Sequence, residues 1–317
     1  MKQIFIAEQQ EFSTVAADLL RSAGEVTLVD ASGSDLAAAF RNFDVVWVRL
    51  AHRIDKQVLG AAPRARILAT PVTGLDHIDL DACEANGIRV VSLRGEVDFL
   101  RSVRATAELT IALMLALIRR IPAARESVKR GVWNRNLFRG AELFGKTVGI
   151  VGVGRLGTIV AGYLRAFGCY VLGHDPRSDF PSNVVDHRCA TLDELMTTSD
   201  VVTLHVPYGA ATRHLIDEAA LMRMKRGAFV VNTSRGGVID ERALLAALEK
   251  GVLGGAALDV LDGEPGITAS HPVVAATQWM ENLLVVPHIG GNTAESVAKT
   301  EVFLARKVID ALVEGRH

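Results

Sequence analysis

Charged and titratable side chains follow three short apolar runs late in the chain. Arg235, Glu264 and His288 each follow a separate run, and Asp259 directly ends the second one. If the runs are parallel strands, their carboxyl ends lie at one edge of a sheet, where such sheets bind ligands. Histidine transfers protons near neutral pH, a carboxylate orients it, and a guanidinium matches a carboxylate. The pattern predicts proton transfer on a small carboxylic acid, with His288 as acid and base, Glu264 as its partner and Arg235 as the substrate-binding cation.

A glycine-rich turn connects an apolar run to an amphipathic segment at residues 147–167. Its spacing is GxGxxG, in which the first glycine permits a tight turn, the second lets the backbone approach a pyrophosphate, and the third lets helix and strand pack closely. N–H groups at the start of the following helix would face the phosphates. The residues predicted to bind the cofactor here are Gly152, Gly154, Arg155, Leu156 and Gly157.

Asp175 ends the next apolar run, where a carboxylate can accept hydrogen bonds from an adenosine ribose and repel a 2′-phosphate. NAD is therefore predicted rather than NADP, although Arg177 keeps NADP open. The glycine spacing alone also fits a turn without a ligand, and a single strand-end arginine such as Arg235 usually pairs with a surface carboxylate. The combination of these features favours a dinucleotide site.

Two series of strands must position these residues. In the first hundred residues, strands are predicted at 4–6, 26–29, 45–48 and 67–69, with a helix at 12–20. The second series, at 147–151, 170–173, 201–205, 229–232, 256–258 and 283–286, predicts a six-stranded doubly wound domain. Alternation of strands with amphipathic segments predicts parallel sheets covered by helices.

Composition limits the class of protein. The 317 residues predict two domains, and a net charge of −1 from 35 basic and 36 acidic residues predicts no nucleic-acid partner. The longest aliphatic stretch is about half a membrane span, so we expect no membrane partner. Three scattered cysteines without a CxxC pair, and no apolar N-terminal stretch of signal-peptide length, predict reduced thiols, no metal site and a cytoplasmic location.

The segment 105–120 predicts a helix that is apolar around most of its circumference, so we expect it to be buried between domains or subunits. The residues that follow, 131–140, predict an exposed loop with two aromatic side chains, Trp133 and Phe138.

Taken together, these motifs resemble those of the D-isomer-specific 2-hydroxyacid dehydrogenase family over nearly the whole chain. The matching stretches are 74–79 (GLDHID), 107–108 (AE), 145–157 (GKTVGIVGVGRLG), 205–207 (HVP), 232–237 (NTSRGG), 257–259 (ALD), 264–265 (EP) and 287–291 (PHIGG). The resemblance implies an α/β fold of two doubly wound domains. Residues 1–102 and 289–317 would form a flavodoxin-like substrate domain, and residues 103–288 an inserted Rossmann coenzyme domain.

The family resemblance also implies an NAD-dependent oxidoreductase and homodimer that transfers a hydride between nicotinamide and C2 of a small anionic D-2-hydroxy or 2-keto acid. It implies Arg235, Glu264 and His288 as catalytic residues. Further cofactor-binding residues would be Thr106, Asp175, His205, Val206, Pro207, Thr233, Ser234 and Asp259. Substrate-binding residues would be Arg49, Val72, Thr73, Gly74 and Arg235. Asp259 would hold the nicotinamide carboxamide, and the backbone at Thr73 and Gly74 the substrate carboxylate.

Several alternatives stay open. Arg49 resembles a phosphate-binding position of phosphoglycerate-oxidising members but fits a salt-bridged surface arginine equally well, so 3-phosphoglycerate, hydroxypyruvate and glyoxylate are all candidate substrates. Val72 follows Pro71 where many relatives carry a glycine two positions before Gly74, so this loop is expected to differ in shape. Glu264 argues against the formate-oxidising members, which carry glutamine. A dinucleotide-sensing corepressor, which shares the fold and motifs, is the alternative function.

Overall fold

The computed structural model describes residues 1–177, 180 and 182–314, which divide into two compact units. The first comprises Met1–Val103 and the described residues from Asn292 onward, and the second comprises Arg104–Gly291. Within the described ranges, no helix is both long enough and apolar enough to cross a membrane.

In its described residues, the first unit holds a five-stranded parallel sheet of order β2-β1-β3-β4-β5. The strands are Lys2–Ile6 (β1), Gly24–Leu28 (β2), Val45–Trp47 (β3), Ile67–Thr70 (β4) and Arg89–Ser92 (β5). The helices are Thr14–Arg21 (α1), Gly33–Asn42 (α2), Lys56–Leu59 (α3), Leu80–Ala85 (α4), Val97–Leu100 (α5) and the C-terminal helix Ala294–Glu314. This is the flavodoxin-like strand order. All strands are parallel, and the order in which the chain adds them across the sheet reverses between β1 and β3.

Polar side chains fix where the first helices begin. Ser13 accepts a hydrogen bond from a backbone N–H of the first turn of α1, and Ser32 forms a capping box with Asp35 at the start of α2. The sheet is buried on both faces, with Trp47 in one apolar cluster and Phe40 in the other. Because β1 and β3 pair directly in parallel, their carboxyl ends lie side by side.

The described part of the second unit holds a seven-stranded parallel sheet of order β12-β11-β10-β9-β6-β7-β8. The strands are Thr147–Val151 (β6), Tyr170–His174 (β7), His187–Arg188 (β8), Val201–Leu204 (β9), Ala228–Asn232 (β10), Leu253–Leu258 (β11) and Leu283–Val285 (β12). The helices are Ala105–Ile118 (α6), Ile121–Lys129 (α7), Arg155–Ala166 (α8), Leu192–Thr198 (α9), Glu218–Arg223 (α10), Glu241–Glu249 (α11) and Pro272–Ala276 (α12). Short 3₁₀ helices span Arg135–Phe138, Ser182–Val184 and Gly236–Val238. The order contains that of a Rossmann domain and reverses between β6 and β9.

The predicted fold class is confirmed, but two strands were missing from the prediction. The expected six strands of the second unit omitted β8, and the expected strands of the first unit omitted β5. Both strands lie at the edges of their sheets. A strand of two residues, as in β8, cannot show a periodic pattern. In β5 the apolar residues are the single pair Val90 and Val91.

The apolar helix expected at 105–120 ends at Ile118, and Arg120 adopts a left-handed conformation between α6 and α7. Met114 and Leu117 are buried against the sheet of their own unit, so contacts within one chain account for much of the apolar surface of α6. The following segment is different, because Trp133 is 89% exposed and Phe144 is 76% exposed.

Candidate active site

The glycine motif forms the turn between β6 and α8. Gly152 has a φ of +92°, and a Cβ there would lie 2.6 Å from the carbonyl oxygen of His205. A Cβ on Gly157 would overlap the Gly152 carbonyl, so glycine allows α8 to approach the turn. Around Gly154, the described atom closest to an added Cβ is Arg177 Nη2 at 3.7 Å. The turn therefore leaves open space at the N-terminus of α8, where the N-cap residue Gly154 has no side chain to accept a hydrogen bond from the helix. A bound pyrophosphate would fit this arrangement.

Asp175 follows β7, and its carboxylate is already hydrogen-bonded. It accepts from Val153 N at 3.0 Å, and from Arg177 Nε at 3.0 Å and Nη2 at 3.1 Å. Burial alone would raise the pKa of Asp175, but the hydrogen bonds and charge of Arg177 outweigh burial and lower it. The Arg177 side chain is 58% exposed, whereas the Asp175 side chain is only 7% exposed. A ribose hydroxyl would therefore compete with an exposed guanidinium for a largely buried carboxylate. Arg155 and Leu156 are the first residues of α8.

His205, Val206 and Pro207 follow β9, at the point where the strand order reverses. His205 N donates to Val151 O at 2.8 Å, and His205 Nε2 lies 3.0 Å from Thr203 Oγ1. Its Nδ1 is shielded from solvent and has no hydrogen-bond partner among the described residues. Burial lowers the pKa of His205 to about 4, so the ring is neutral at neutral pH. The structure therefore places a neutral, buried ring beside the glycine turn.

Arg235 lies in the loop after β10, which Asn232 organises. Asn232 Oδ1 accepts from Ser234 N at 2.9 Å and Ser234 Oγ at 2.7 Å, while Asn232 Nδ2 donates to Arg235 O at 2.9 Å. Arg235 Nη1 donates to Ser234 O at 2.8 Å. A Cβ on Gly236 would overlap the backbone of Leu261. Glycine at this position therefore lets the Arg235 loop pack against the loop after β11.

His288 and Glu264 form a hydrogen-bonded pair in the loops after β12 and β11. His288 Nδ1 pairs with Glu264 Oε2, and Glu264 Oε1 accepts a hydrogen bond from Leu261 N at 2.8 Å. The two side chains are 22% and 27% exposed, so much of the pair is shielded from solvent. Because Nδ1 faces the carboxylate, Nε2 is the ring nitrogen that can exchange a proton with a substrate.

Asp259 holds the loop that carries His288. Its Oδ1 accepts from Ile289 N at 2.7 Å, its Oδ2 from Gly290 N at 2.9 Å, and its carbonyl from His288 N at 2.8 Å. His288 has a φ of +51°, a conformation that residues other than glycine rarely adopt, so these contacts must hold it in place. Burial raises the pKa of Asp259 to about 6, although the hydrogen bond from Ile289 N opposes the shift. Contact of Asp259 with a nicotinamide stays a prediction.

Hydroxyl groups join the start of α6 to these loops. Thr233 Oγ1 lies 2.8 Å from Thr110 Oγ1, and Thr110 Oγ1 donates to Thr106 O at 2.8 Å. A Cβ on Gly290 would lie 3.2 Å from Thr106 Cγ2. The carboxyl side of β10, β11 and β12 thus gathers seven of the predicted residues, namely Thr106, Thr233, Ser234, Arg235, Asp259, Glu264 and His288. Thr110 was not predicted, although a hydroxyl inside so apolar a helix was an available signal.

The substrate-binding loop expected in the first unit follows β4 and consists of Val72, Thr73 and Gly74. Leu93 N donates to Val72 O at 3.1 Å, and Arg94 Nε lies 3.5 Å from Thr73 O. Arg94 is exposed, so a cation stands beside the loop that was predicted to bind a carboxylate.

Arg49 follows β3 and is bound by acidic side chains of the same unit. Its Nε and Nη2 donate to Glu301 Oε1 at 2.9 and 2.5 Å, and its Nη1 donates to Gln10 O at 3.0 Å. Its backbone N donates to both carboxylate oxygens of Glu8 at 2.9 Å. The Glu301 side chain is 1% exposed. Burial raises the pKa of Glu8 to about 7 and that of Glu301 above its ordinary value, so this is a shielded network.

Known proteins resemble the chain across both units. Residues 111–290 match the family model described as D-isomer specific 2-hydroxyacid dehydrogenase, NAD binding domain. The D-3-phosphoglycerate dehydrogenase of Mycobacterium bovis is 39% identical over 311 residues, or 98% of this chain and 56% of that relative, so the chain spans about half the relative's length. The hydroxypyruvate reductase of Thermotoga maritima is 35% identical over 291 residues, or 91% of each chain.

Among solved structures, the D-lactate dehydrogenase of Aquifex aeolicus, complexed with NAD and lactic acid, matches with a TM-score of 0.84. It is 29% identical, and the match covers 99% of this chain and 96% of that one. Together with the matched family model, these similarities show that the chain belongs to the D-isomer-specific 2-hydroxyacid dehydrogenase family, with its NAD-binding domain at residues 111–290.

Proposed function

We propose that the chain catalyses the NAD-dependent reduction of a small 2-keto acid to the D-2-hydroxy acid, and the reverse oxidation. The observation that carries this proposal is the His288–Glu264 pair, which lies beside the Arg235 loop in the same unit as the glycine turn. Reduction of a keto acid needs a proton donor for the carbonyl oxygen and a cation for the carboxylate. A histidine held by a carboxylate, together with an arginine, supplies both.

The residues around the glycine turn fit NAD. Gly154 leaves room for a pyrophosphate, Asp175 is the acceptor for the adenosine ribose, and His205 offers a neutral ring beside the turn. When bound, NADH supplies the hydride that C2 of the keto acid accepts. Because the Asp175 carboxylate repels a 2′-phosphate, NAD is preferred over NADP.

The proton moves through His288. With Nδ1 hydrogen-bonded to Glu264, the protonated ring donates from Nε2 to the carbonyl oxygen during reduction and takes the proton back during oxidation. The Glu264 carboxylate balances the charge of the protonated ring. Arg235 binds the substrate carboxylate, since its planar guanidinium matches two oxygens with paired N–H groups.

The Arg49 network supports an unphosphorylated substrate such as hydroxypyruvate or glyoxylate. Arg49 is already paired with the buried Glu301, and its own side chain is 25% exposed, so a phosphate would compete with that carboxylate for the guanidinium. The relative named hydroxypyruvate reductase agrees with this choice, whereas the one named D-3-phosphoglycerate dehydrogenase supports the phosphorylated alternative.

Steady-state NADH oxidation with glyoxylate, hydroxypyruvate, pyruvate and phosphohydroxypyruvate tests the proposal. We expect kcat/KM for hydroxypyruvate or glyoxylate to exceed that for the phosphorylated acid at least tenfold. The opposite order would overturn the choice of substrate. No oxidation with any keto acid would overturn the enzymatic function and favour the corepressor alternative, which the named relatives do not support.

We also propose that the chain forms a homodimer through the segment that follows α6. Exposed apolar side chains concentrate there, including Ile121, Val132, Trp133, Leu137 and Phe144. Several exposed apolar side chains within one short segment are typical of a protein–protein contact.

A further inference from the structure

Three potential metal ligands come together at the edge of the sheet in the second unit. The Nε2 or Nδ1 atom of His187, the Sγ of Cys189 and a carboxylate oxygen of Glu194 all lie within 4.8 Å of one another. His187 Nε2 lies 2.7 Å from Glu194 Oε1, and Glu194 Oε2 accepts a hydrogen bond from Ala190 N at 2.8 Å. None of these side chains belongs to the candidate active site.

The local backbone brings the three groups together. Cys189 N donates to Gly173 O at 2.9 Å and so continues the pairing of β8, and residues two apart on an extended strand point to the same side. Thr191 caps α9, and Glu194 lies in its first turn, from which its carboxylate returns to Ala190. The side chains converge because a strand end and the N-terminal cap of α9 are adjacent in sequence.

We propose that His187, Cys189 and Glu194 bind Zn²⁺ or a divalent ion of similar ligand preference. Zn²⁺ prefers imidazole, thiolate and carboxylate, whereas Mg²⁺ and Ca²⁺ prefer oxygen ligands alone. On binding, the Cys189 thiol releases its proton to solvent, and the thiolate and carboxylate together neutralise the charge of the ion. The inference does not depend on the proposed dehydrogenase activity.

The geometry needs a small adjustment. Zn–N and Zn–O distances of about 2.0–2.2 Å and a Zn–S distance of about 2.3 Å place tetrahedral ligand atoms roughly 3.5 Å apart. The ligand atoms of His187 and Glu194, now 2.7 Å apart, would have to separate, and any pair that lies nearer to the 4.8 Å limit would have to approach. His187 is 50% exposed and can move, while Cys189 is buried and stays in place. With three protein ligands and an exposed histidine, the fourth position is open to water.

The nearest cation in sequence does not enter the site. Arg188 lies between two of the ligands but belongs to the opposite side of the strand, where its guanidinium is 3.9 Å from the Phe180 ring centroid. Its Nη2 donates to Arg177 O at 3.0 Å. The charge contributed by the three proposed ligands is therefore that of one thiolate and one carboxylate.

Titration of the full-length, untagged chain with Co²⁺ tests the site, because a Co²⁺–thiolate bond gives an intense near-ultraviolet absorption band. We expect one Co²⁺ per chain with this band, displaced by Zn²⁺. Cys189→Ser should abolish the band, and His187→Gln should weaken Zn²⁺ binding at least tenfold in competition with a chromophoric chelator. His187→Gln changes an exposed residue, so it tests the site even if Cys189→Ser does not fold.

Cys169→Ser is the matched control, because Cys169 is also buried in the second unit and its Sγ donates to Leu143 O, a bond that serine can keep. It should bind Co²⁺ and show the band as the wild-type chain does. Absence of the thiolate band in the wild-type chain, a band that persists in Cys189→Ser, or unchanged Zn²⁺ affinity in His187→Gln would each overturn the proposal.

Discussion

Glu264→Gln should lower kcat/KM for keto-acid reduction by about ten- to a hundredfold. Glu264 accepts two hydrogen bonds, one from His288 Nδ1 and one from Leu261 N. Glutamine has the same shape but a single acceptor oxygen, so one of these N–H groups loses its acceptor and the protonated ring loses its counter-charge. Hydrogen bonds to charged groups contribute about 1.5–3 kcal/mol. At about 1.4 kcal/mol per tenfold change in rate, this loss corresponds to about a ten- to a hundredfold fall.

The assay is kcat/KM for reduction with NADH at one fixed pH near neutrality, measured for the wild-type protein and for Glu264→Gln. The variant should be slower because the ring that donates the proton has lost its partner carboxylate. Glu241→Gln is the matched control, since Glu241 accepts from Asp262 N at 2.8 Å and faces His271 at 3.4 Å instead. An unchanged kcat/KM in Glu264→Gln, or the same fall in both variants, would show that another group supplies the proton.

Three further predictions concern the cofactor, stability and assembly. Asp175→Ala should narrow the preference for NAD over NADP in titration calorimetry, because it removes both the ribose acceptor and the repulsion of a 2′-phosphate; equal affinities in the wild-type protein would exclude this role. Glu8→Gln should flatten the pH dependence of unfolding in urea. Since burial raises the pKa of Glu8 from 4.5 to about 7, the folded state is favoured while Glu8 is protonated. The wild-type protein should therefore lose up to about 3 kcal/mol of stability as pH rises from about 4.5 to about 7, and an equal loss in the variant would contradict this. Trp133→Glu should convert the dimer to a monomer in analytical ultracentrifugation, and a wild-type monomer at micromolar concentration would refute the dimer.

Much of the second unit could be predicted because its signals are local. The glycines of the turn and the residues that end β10, β11 and β12 stand in fixed positions relative to apolar runs. Once those runs are neighbouring parallel strands, Glu264 and His288 must lie close together. What the sequence did not reveal was the role of Asp259, whose carboxylate holds the His288 loop through two backbone N–H groups.

Contacts between residues far apart in sequence could not be predicted. Glu301 pairs with Arg49 and accepts a hydrogen bond from Ser13 N, and these partners come from opposite ends of the chain. A charged residue on the buried face of the C-terminal helix, three residues before Leu304, was the one signal available. Strand β8 was missed because its two residues carry no periodicity, and the cluster around Cys189 was missed with it.

Proton transfer by His288 is tested most directly by the turnover of His288→Gln with saturating NADH and the best keto acid of the panel. If His288 donates the proton, turnover should fall by about 10²–10⁴-fold. NADH affinity, followed by fluorescence titration of the same preparation, should stay within about twofold of the wild-type value, because the residues proposed to hold the cofactor around the glycine turn are unchanged. A His288→Gln variant with intact NADH binding and near-normal turnover would contradict the proposed mechanism.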